Sequence, residues 1–286
     1  MQFGFIGVGQ MGGGLARNLI RAKKSVLVFD LNPEAVKTTL AAGVTGRAAA
    51  KIEELAEADV VFTSLPMPQH LESVMLGPKG LLRQMKPGST YIDVSTIDPA
   101  TARKLSDAAE AKGIHFLECP LGKTPAHAEK AEEPIFAGGK KAVYAKMLDT
   151  LKIIGKPVYY LGEVEASCAV KLISNLIGMT NLAVLAEGIR IGEKAGIDPK
   201  FLLELLGDTG AKSFQMDVRG PWIAGGDFKS RFGLDLALKD VRLGCERARA
   251  WGNDAKTMQV ALDYLKAGSS AGYGKEDCNA MYKVIR

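Results

Sequence analysis

Residues 3–14 read FGFIGVGQMGGG, an apolar run followed by closely spaced glycines. The spacing of Gly7, Gly9 and Gly12 is G-x-G-x-x-G, placed between a predicted strand and a predicted helix. There the first glycine permits a tight turn, the second lets a pyrophosphate approach the backbone, and the third lets helix and strand pack closely. The helix N-terminus offers unpaired N–H groups to the anion. The stretch therefore predicts the first turn of a dinucleotide-binding domain.

An acidic residue at the end of the next predicted strand strengthens this interpretation. Asp30 lies about twenty residues beyond the glycines, where a carboxylate would hold the adenosine ribose hydroxyls. A carboxylate also repels a 2′-phosphate, and Leu31 and Asn32 supply no arginine to receive one. The sequence therefore favours NAD(H) over NADP(H) as the cofactor.

The first half of the chain alternates short apolar runs with segments of helical period. The predicted strands are 2–8, 26–30, 60–65, 90–94, 115–118 and 157–161, and the predicted helices are 10–23, 33–42, 52–58, 99–112 and 142–154. Such alternation is typical of a doubly wound parallel sheet covered by helices on both faces. We therefore predict an α/β fold whose N-terminal Rossmann domain spans residues 1–162.

After Gly162 the alternation stops, and only helices are predicted, at 163–195, 199–206, 234–251 and 254–266. Residues 163–286 are therefore expected to form an all-α domain that begins with a long helix. That helix is apolar on nearly all sides over its middle, which predicts burial between domains or subunits. Its apolar stretch at 172–186 contains polar residues and is too short to cross a bilayer, so no membrane span is expected.

Composition excludes several classes of protein. The 286 residues are 47% hydrophobic and 24% charged, a mixture that excludes a disordered or collagen-like chain. The net charge of +5 is spread out, with no basic run longer than a lysine pair, so we expect no nucleic-acid partner. Three histidines without metal-ligand spacing predict no metal site. Four cysteines without a C-x-x-C pair and a start without the pattern of an export signal predict reduced thiols in a cytoplasmic protein.

Three polar residues interrupt the long apolar helix. Lys171, Ser174 and Asn175 stand at i, i+3 and i+4 and so share one helix face. A buried lysine beside an amide and a hydroxyl gives up its proton more easily, which suits a general acid. The alternative is a lysine whose stem packs while its ammonium reaches water, with the other two side chains satisfied by backbone or water.

Five segments in order, FIGVGQMGGGLARNL, IDVST, CPLGKT, KLISN and LALKD, together resemble the β-hydroxyacid dehydrogenases, the family of 3-hydroxyisobutyrate and tartronate semialdehyde enzymes. The resemblance covers the whole chain. It implies NAD(P)-dependent oxidation of a hydroxy acid or reduction of a semialdehyde. It also implies that the helical domain, residues 163–286, binds the substrate and joins the subunits of a homodimer or homotetramer.

The resemblance assigns roles to residues at matching positions. Lys171 matches the catalytic lysine, and Asn175 matches the asparagine that positions lysine and substrate. The positions that match the family's cofactor site are Gly7, Gly9, Gln10, Met11, Gly12, Asp30, Leu65, Pro66, Thr96, Phe232 and Lys239.

The loop expected to hold the substrate departs from the common family pattern. Many members carry Ser-Gly-Gly there, whereas this chain has Gly122-Lys123-Thr124, similar to the Gly-Arg-Thr of the sulfolactaldehyde reductase branch. Lys123 is therefore predicted to meet a remote anion of a small substrate, with Gly122, Thr124 and Ser174 as further contacts. However, Ser174 replaces the asparagine of that branch, and succinic semialdehyde reductases also carry lysines just after this loop. A solvated loop lysine is the alternative for Lys123.

The predicted activity is reversible hydride transfer between NAD(H) and a small anionic aldehyde, with 3-sulfolactaldehyde as the favoured substrate. A carboxylate semialdehyde reductase or a 3-hydroxyisobutyrate-type dehydrogenase stays open as the alternative. A different class, a non-enzymatic NAD-binding sensor, usually lacks the catalytic lysine that this chain retains at position 171. Imine reduction on the same scaffold generally replaces that lysine by aspartate or tyrosine.

Overall fold

Eight strands form one sheet in a computed structural model that describes all 286 residues. They are β1 (Gln2–Ile6), β2 (Ser25–Phe29), β3 (Gly46–Ala48), β4 (Val60–Thr63), β5 (Thr90–Asp93), β6 (His115–Glu118), β7 (Ile135–Gly139) and β8 (Val158–Tyr160). Their order is β3-β2-β1-β4-β5-β6-β7-β8. Six strands, β1 to β6, are parallel, β7 runs antiparallel to β6, and β8 is parallel to β7.

Six helices accompany the sheet. They are α1 (Gln10–Arg21), α2 (Pro33–Leu40), α3 (Pro68–Leu76), α4 (Pro99–Glu110), α5 (Pro125–Glu129) and α6 (Lys141–Ile154), with 3-10 helices at Ile52–Glu57 and Leu81–Arg83. The start of α2 follows from the sequence, because the Asn32 side chain accepts a hydrogen bond from the Glu34 N–H and Pro33 occupies the first turn.

The core lies on both faces of the sheet. On one face Phe3 and Phe5 pack with Leu15 and Leu19 of α1, and on the other Leu71 of α3 packs in a second cluster. This second cluster also contains Met75, Leu81 and Leu105. The predicted α/β fold, with a doubly wound sheet and a separate helical region, is confirmed.

Several elements were not predicted from the sequence. Strand β3 is an edge strand of three residues without an apolar run. Strand β7 ends in two glycines, and the lysines at the start of α6 follow it directly. Because β7 runs antiparallel to β6, the sheet is mostly rather than wholly parallel. The helix predicted at 52–58 is a 3-10 helix, and α3 and α5 were not predicted.

The remaining helices are α7 (Val164–Lys194), α8 (Pro199–Gly207), α9 (Phe214–Ala224), α10 (Leu234–Ala250) and α11 (Lys256–Ser270), followed by a 3-10 helix at Cys278–Val284. The chain divides into two compact units, residues 1–171 and 172–286, so that the division falls within α7. In the second unit Leu182, Val241, Leu265 and Met281 belong to one buried cluster. Helix α9 was not predicted because Pro221 lies inside it.

Helix α7 is less buried than its composition predicts. Ile173, Ile177, Val184 and Ile191 are exposed apolar side chains along it. Its 31 residues are long and apolar enough to cross a membrane by length and composition, a test that core helices of water-soluble proteins also pass. The argument from length against a membrane span, which considered only residues 172–186, therefore does not hold for the whole helix.

Candidate cofactor and active site

The glycine turn between β1 and α1 is shaped by close backbone contacts. Gly7 has φ +84° and donates its N–H to the Phe29 carbonyl at 2.9 Å. A Cβ at Gly7 would lie 2.3 Å from the Ser64 carbonyl oxygen, and a Cβ at Gly12 would lie 2.1 Å from the Gly7 carbonyl oxygen. Both positions therefore require glycine for the turn and the helix to pack as they do.

Gly9 is glycine for a different reason. It is the N-cap of α1, and a Cβ built on it would meet no heavy atom within 4 Å. The open space lies at a helix N-terminus, where N–H groups face outward and attract anions. The glycine turn thus fits a dinucleotide pyrophosphate, with Gln10 and Met11 in the first turn of the helix.

Asp30 is fixed against this turn. One of its carboxylate oxygens accepts a hydrogen bond from the Val8 N–H at 2.8 Å, and the other accepts one from the Asn32 N–H at 2.8 Å. The carboxylate follows β2 and is half-buried. Its position beside the turn is the one expected of an acid that binds the ribose of a nicotinamide dinucleotide.

The turns after β4 and β5 are tied to each other. The Leu65 N–H donates to Ser95 Oγ at 2.9 Å, and Ser95 Oγ donates to Asp93 Oδ1 at 2.7 Å. Pro66 follows Leu65, and the half-buried Thr96 follows Ser95. The carboxyl ends of β2, β1, β4 and β5 are neighbours in the sheet. The candidate cofactor residues of the first unit therefore meet at the switch point of the sheet, where such folds bind ligands.

The loop with the candidate anion-binding residues follows β6, the next strand along the same edge. Lys123 has φ +59°, its side chain is exposed, and its Nζ donates to the Glu132 carbonyl at 3.0 Å. Gly122 is buried against Pro134, and Thr124 Oγ1 lies 2.8 Å from His127 Nδ1. The exposed ammonium is available to an anion in solution and also agrees with the alternative of a solvated loop lysine.

The polar face of α7 forms as the spacing predicts, because Lys171, Ser174 and Asn175 lie on one uninterrupted helix. Lys171 and Asn175 are half-buried, whereas Ser174 is exposed. The lysine is thus partly rather than completely buried, and its side chain is not turned wholly into solvent.

Asp240 on α10 contacts two candidate site residues and was not predicted from the sequence. It is 2% exposed, accepts a hydrogen bond from Asn175 Nδ2 at 2.6 Å and lies 2.9 Å from the Nζ of Lys239. Lys239 is also buried, and a buried ammonium needs a counter-ion. The adjacent acid in Lys239-Asp240 was the available signal, whereas the contact with Asn175 spans 65 positions and is not visible in the sequence.

Phe232 lies in the segment before α10. Its N–H donates to Asp277 Oδ2 at 2.8 Å, and the buried Asp277 also forms an ion pair with Arg219 at 3.0 Å. The backbone at Phe232 is thus fixed by a buried carboxylate. In the second unit, then, Asp240 joins two candidate site residues, Asn175 and Lys239, while Phe232 is held by a separate network.

Comparisons with known proteins agree with this geometry. Residues 2–162 match the family described as the NAD binding domain of 6-phosphogluconate dehydrogenase. Residues 166–285 match the family described as "NAD-binding of NADP-dependent 3-hydroxyisobutyrate dehydrogenase".

Similar proteins extend over the whole chain. A 2-(hydroxymethyl)glutarate dehydrogenase of Eubacterium barkeri is 34% identical, over 99% of this chain and 94% of that protein. A 3-hydroxyisobutyrate dehydrogenase of Pseudomonas aeruginosa is 32% identical, over 99% and 97%. The crystal structure of a 3-hydroxyisobutyrate dehydrogenase from Salmonella typhimurium superposes with a TM-score of 0.92 at 29% identity, covering 99% of each chain. The resemblance noted in the sequence is thus confirmed: this chain belongs to the β-hydroxyacid dehydrogenases, NAD(P)-binding enzymes that act on CH–OH groups.

Proposed function

We propose that this chain interconverts a small anionic semialdehyde and its hydroxy acid with NAD(H), and that 3-sulfolactaldehyde is its preferred type of substrate. The observation that carries the proposal is the exposed ammonium of Lys123 at the same sheet edge as the glycine turn. A cation there would hold the end of the substrate remote from the aldehyde, which orients the reacting carbon.

In the proposed mechanism Lys171 supplies the proton that the forming alkoxide needs when an aldehyde is reduced. A bound NADH supplies the hydride. Asn175 orients the lysine and the substrate. Because its Nδ2 donates to Asp240, the side-chain oxygen of Asn175 is left to accept a hydrogen bond from the lysine or the substrate.

The remote anion would be held by the loop after β6. Lys123 has three ammonium protons and uses one on the Glu132 carbonyl, so donors remain for a sulfonate or a carboxylate. Thr124 on the loop and Ser174 on α7 offer hydroxyl groups as further contacts. Lysine acts as a point charge without the planar fork of arginine, so it does not by itself choose between the two anions.

A carboxylate semialdehyde is the second candidate substrate. It is favoured by the relatives named for 2-(hydroxymethyl)glutarate and 3-hydroxyisobutyrate, both carboxylates. Steady-state rates with NADH on sulfolactaldehyde and on succinic, methylmalonic and tartronic semialdehydes separate the candidates. We expect the highest kcat/KM on sulfolactaldehyde. A higher value on a carboxylate would replace the proposal by the second candidate, and no turnover of any of the four would favour an NAD-binding sensor.

Replacing Lys123 by alanine is expected to raise KM for the anionic substrate about tenfold to a hundredfold, the range for losing a hydrogen bond to a charged group. The turnover number should change much less, because the lysine holds the remote anion rather than the reacting atoms. Lys130→Ala is the matched control, since Lys130 is an exposed lysine a few residues along the same segment. Equal KM values for the two variants would remove Lys123 from the site.

Asp30 is expected to make the enzyme prefer NADH over NADPH by about tenfold or more in kcat/KM, through repulsion of the 2′-phosphate. Asp30→Ser should reduce this preference mainly by weakening NADH binding. Asp59→Ser is the control, because Asp59 also accepts a backbone hydrogen bond, from the Gln2 N–H at 2.7 Å, but lies at the other end of β1. An unaltered cofactor ratio in Asp30→Ser would contradict the role of this acid.

We also propose that the protein is a homodimer or homotetramer, assembled through its helical part in the cytoplasm. Ile173, Ile177, Val184 and Ile191 recur at intervals of four and seven and form one exposed apolar stripe on α7. The stripe lies roughly 140° around the helix from Lys171, at about 100° per residue. Sedimentation equilibrium of the parent protein is expected to give the mass of two or four chains. The variant with Ile177→Glu and Val184→Glu should have the mass of a monomer. A monomeric parent protein would contradict this assembly.

A further inference from the structure

A carboxyl group at the end of β6 is buried without a hydrogen-bond partner. Glu118 is 0% exposed, and neither of its carboxylate oxygens has a partner. An ionised carboxylate in such a place would cost far more free energy than a neutral one. Burial first, and then the nearby charges of Asp93 and Asp98, raise the pKa of Glu118 well above its ordinary value.

The neighbouring carboxylate on β5, in contrast, accepts hydrogen bonds. Asp93 is the register partner of Glu118 and is also 0% exposed. Its Oδ1 accepts hydrogen bonds from Thr63 Oγ1 at 2.5 Å and from Ser95 Oγ at 2.7 Å. An ionised carboxylate is the form that accepts two hydrogen bonds most strongly on one oxygen. Two carboxyl groups so close in a buried place do not both ionise, so one proton remains with the pair.

Two hydrogen bonds of Ser95 connect the charge on Asp93 to the turn after β4. The Ser95 hydroxyl has one proton, which it gives to Asp93, and its oxygen accepts the Leu65 N–H at 2.9 Å. Leu65 lies in the turn after β4 that is proposed to border the cofactor. The charge on Asp93 is thus connected through one hydroxyl to the backbone of that turn.

Several acidic groups surround this pair. Tyr91, Asp93, Asp98, Cys119 and Cys168 interact electrostatically with Glu118, and Glu165 interacts with Cys168. Burial, as the largest cause, raises the pKa of the Tyr91 hydroxyl and of both thiols. Of these groups, Glu165 is paired with the guanidinium of Arg103. Asp93, whose Oδ1 accepts two hydrogen bonds, is therefore the member of the pair that carries the charge.

We propose that Glu118 and Asp93 hold one proton between them, placed on Glu118, and that the charge left on Asp93 positions Ser95 and thereby the Leu65 turn of the cofactor site. Glu118 and Asp93 are positioning residues in this account, since neither reaches the reacting atoms. The last link rests on the proposed placement of the cofactor at the Leu65 turn, whereas the position of the proton does not.

Infrared spectroscopy of the full chain in D2O near neutral pH tests where the proton is. The difference spectrum between the parent protein and Glu118→Gln should show the carbonyl stretch of one protonated carboxylic acid in the parent. A difference that shows only carboxylate bands would overturn the proposal. If the variant does not fold, carbon NMR of the parent labelled at glutamate carboxyl groups replaces it. Burial raises the pKa of Glu133 to about 7, so the spectrum is recorded near pH 9, where that carboxyl is ionised. One signal should then stay at the position of a protonated acid, and full ionisation of all signals would overturn the proposal.

The positioning role is tested by Ser95→Ala, with NADH binding measured by fluorescence. The loss of the link between Asp93 and the Leu65 N–H should raise the Kd for NADH about threefold to tenfold, the usual range for one hydrogen bond. Ser89→Ala is the matched control, because Ser89 is a similarly buried serine just before β5 that donates to the Lys86 carbonyl at 2.6 Å. Equal Kd values for the two variants would overturn the positioning role. A parent protein that does not bind NADH would instead contradict the proposed function and leave the infrared test intact.

Discussion

Replacing Lys171 by methionine is expected to lower kcat for aldehyde reduction by a factor of about a hundred to ten thousand, the usual contribution of a general acid. Methionine keeps an unbranched apolar stem on α7 but carries no proton for the forming alkoxide. NADH binding should be largely kept, because the glycine turn and Asp30 do not depend on this side chain. Steady-state kinetics with the best aldehyde and a fluorescence titration with NADH measure the two effects separately.

Lys194→Met is the control for this experiment, because Lys194 is an exposed lysine at the end of the same helix. It should leave kcat close to the parent value. A Lys171→Met enzyme that turns over at the parent rate would show that the proton comes from another group. A variant that loses both turnover and NADH binding would show that Lys171 supports the fold or the cofactor rather than the chemistry.

Gly9→Ala is expected to weaken NADH binding about a hundredfold while the unliganded protein stays as stable as the parent, because the second glycine of this motif leaves room for the pyrophosphate. The added methyl group would meet no protein atom within 4 Å, so nothing in the fold resists it. Gly12→Ala should behave differently. Its Cβ would lie 2.1 Å from the Gly7 carbonyl oxygen, so both stability and binding should fall. Thermal unfolding and NADH titration of both variants distinguish steric exclusion of the ligand from disruption of the turn.

Gly188→Ala provides the matched glycine substitution. Gly188 lies within α7, and an added Cβ there also meets nothing within 4 Å. This variant should bind NADH like the parent and should be slightly more stable, since alanine is favoured over glycine inside a helix. If Gly9→Ala bound NADH as tightly as Gly188→Ala does, the glycine turn would not be the pyrophosphate site.

The sequence predicts the cofactor half of the molecule well because its signals are local. Gly7, Gly9 and Gly12 serve a turn and a helix start within six residues, and Asn32 caps the helix that directly follows it. Elements without a local signal were missed. Strand β3 has no apolar run and exists because it pairs with β2, and α9 continues through a proline that usually ends a helix.

The candidate catalytic residues also combine features that follow from local sequence with features that depend on distant contacts. The face of Lys171, Ser174 and Asn175 follows from helical spacing alone. The hydrogen-bond acceptor of Asn175 does not follow from this spacing, because it is Asp240 on α10. The degree of burial of Lys171 depends on packing between elements far apart in sequence. The buried pair of Glu118 and Asp93 likewise depends on strand register, which brings β5 and β6 together.

Hydride transfer from NADH deuterated at both C4 positions tests the central claim most directly. With the preferred anionic aldehyde, the parent enzyme should form an alcohol that carries one deuterium on the former carbonyl carbon, and Lys171→Met should form it at a rate lower by about a hundredfold or more. An alcohol without deuterium at that carbon, or equal rates for the two proteins, would contradict the account.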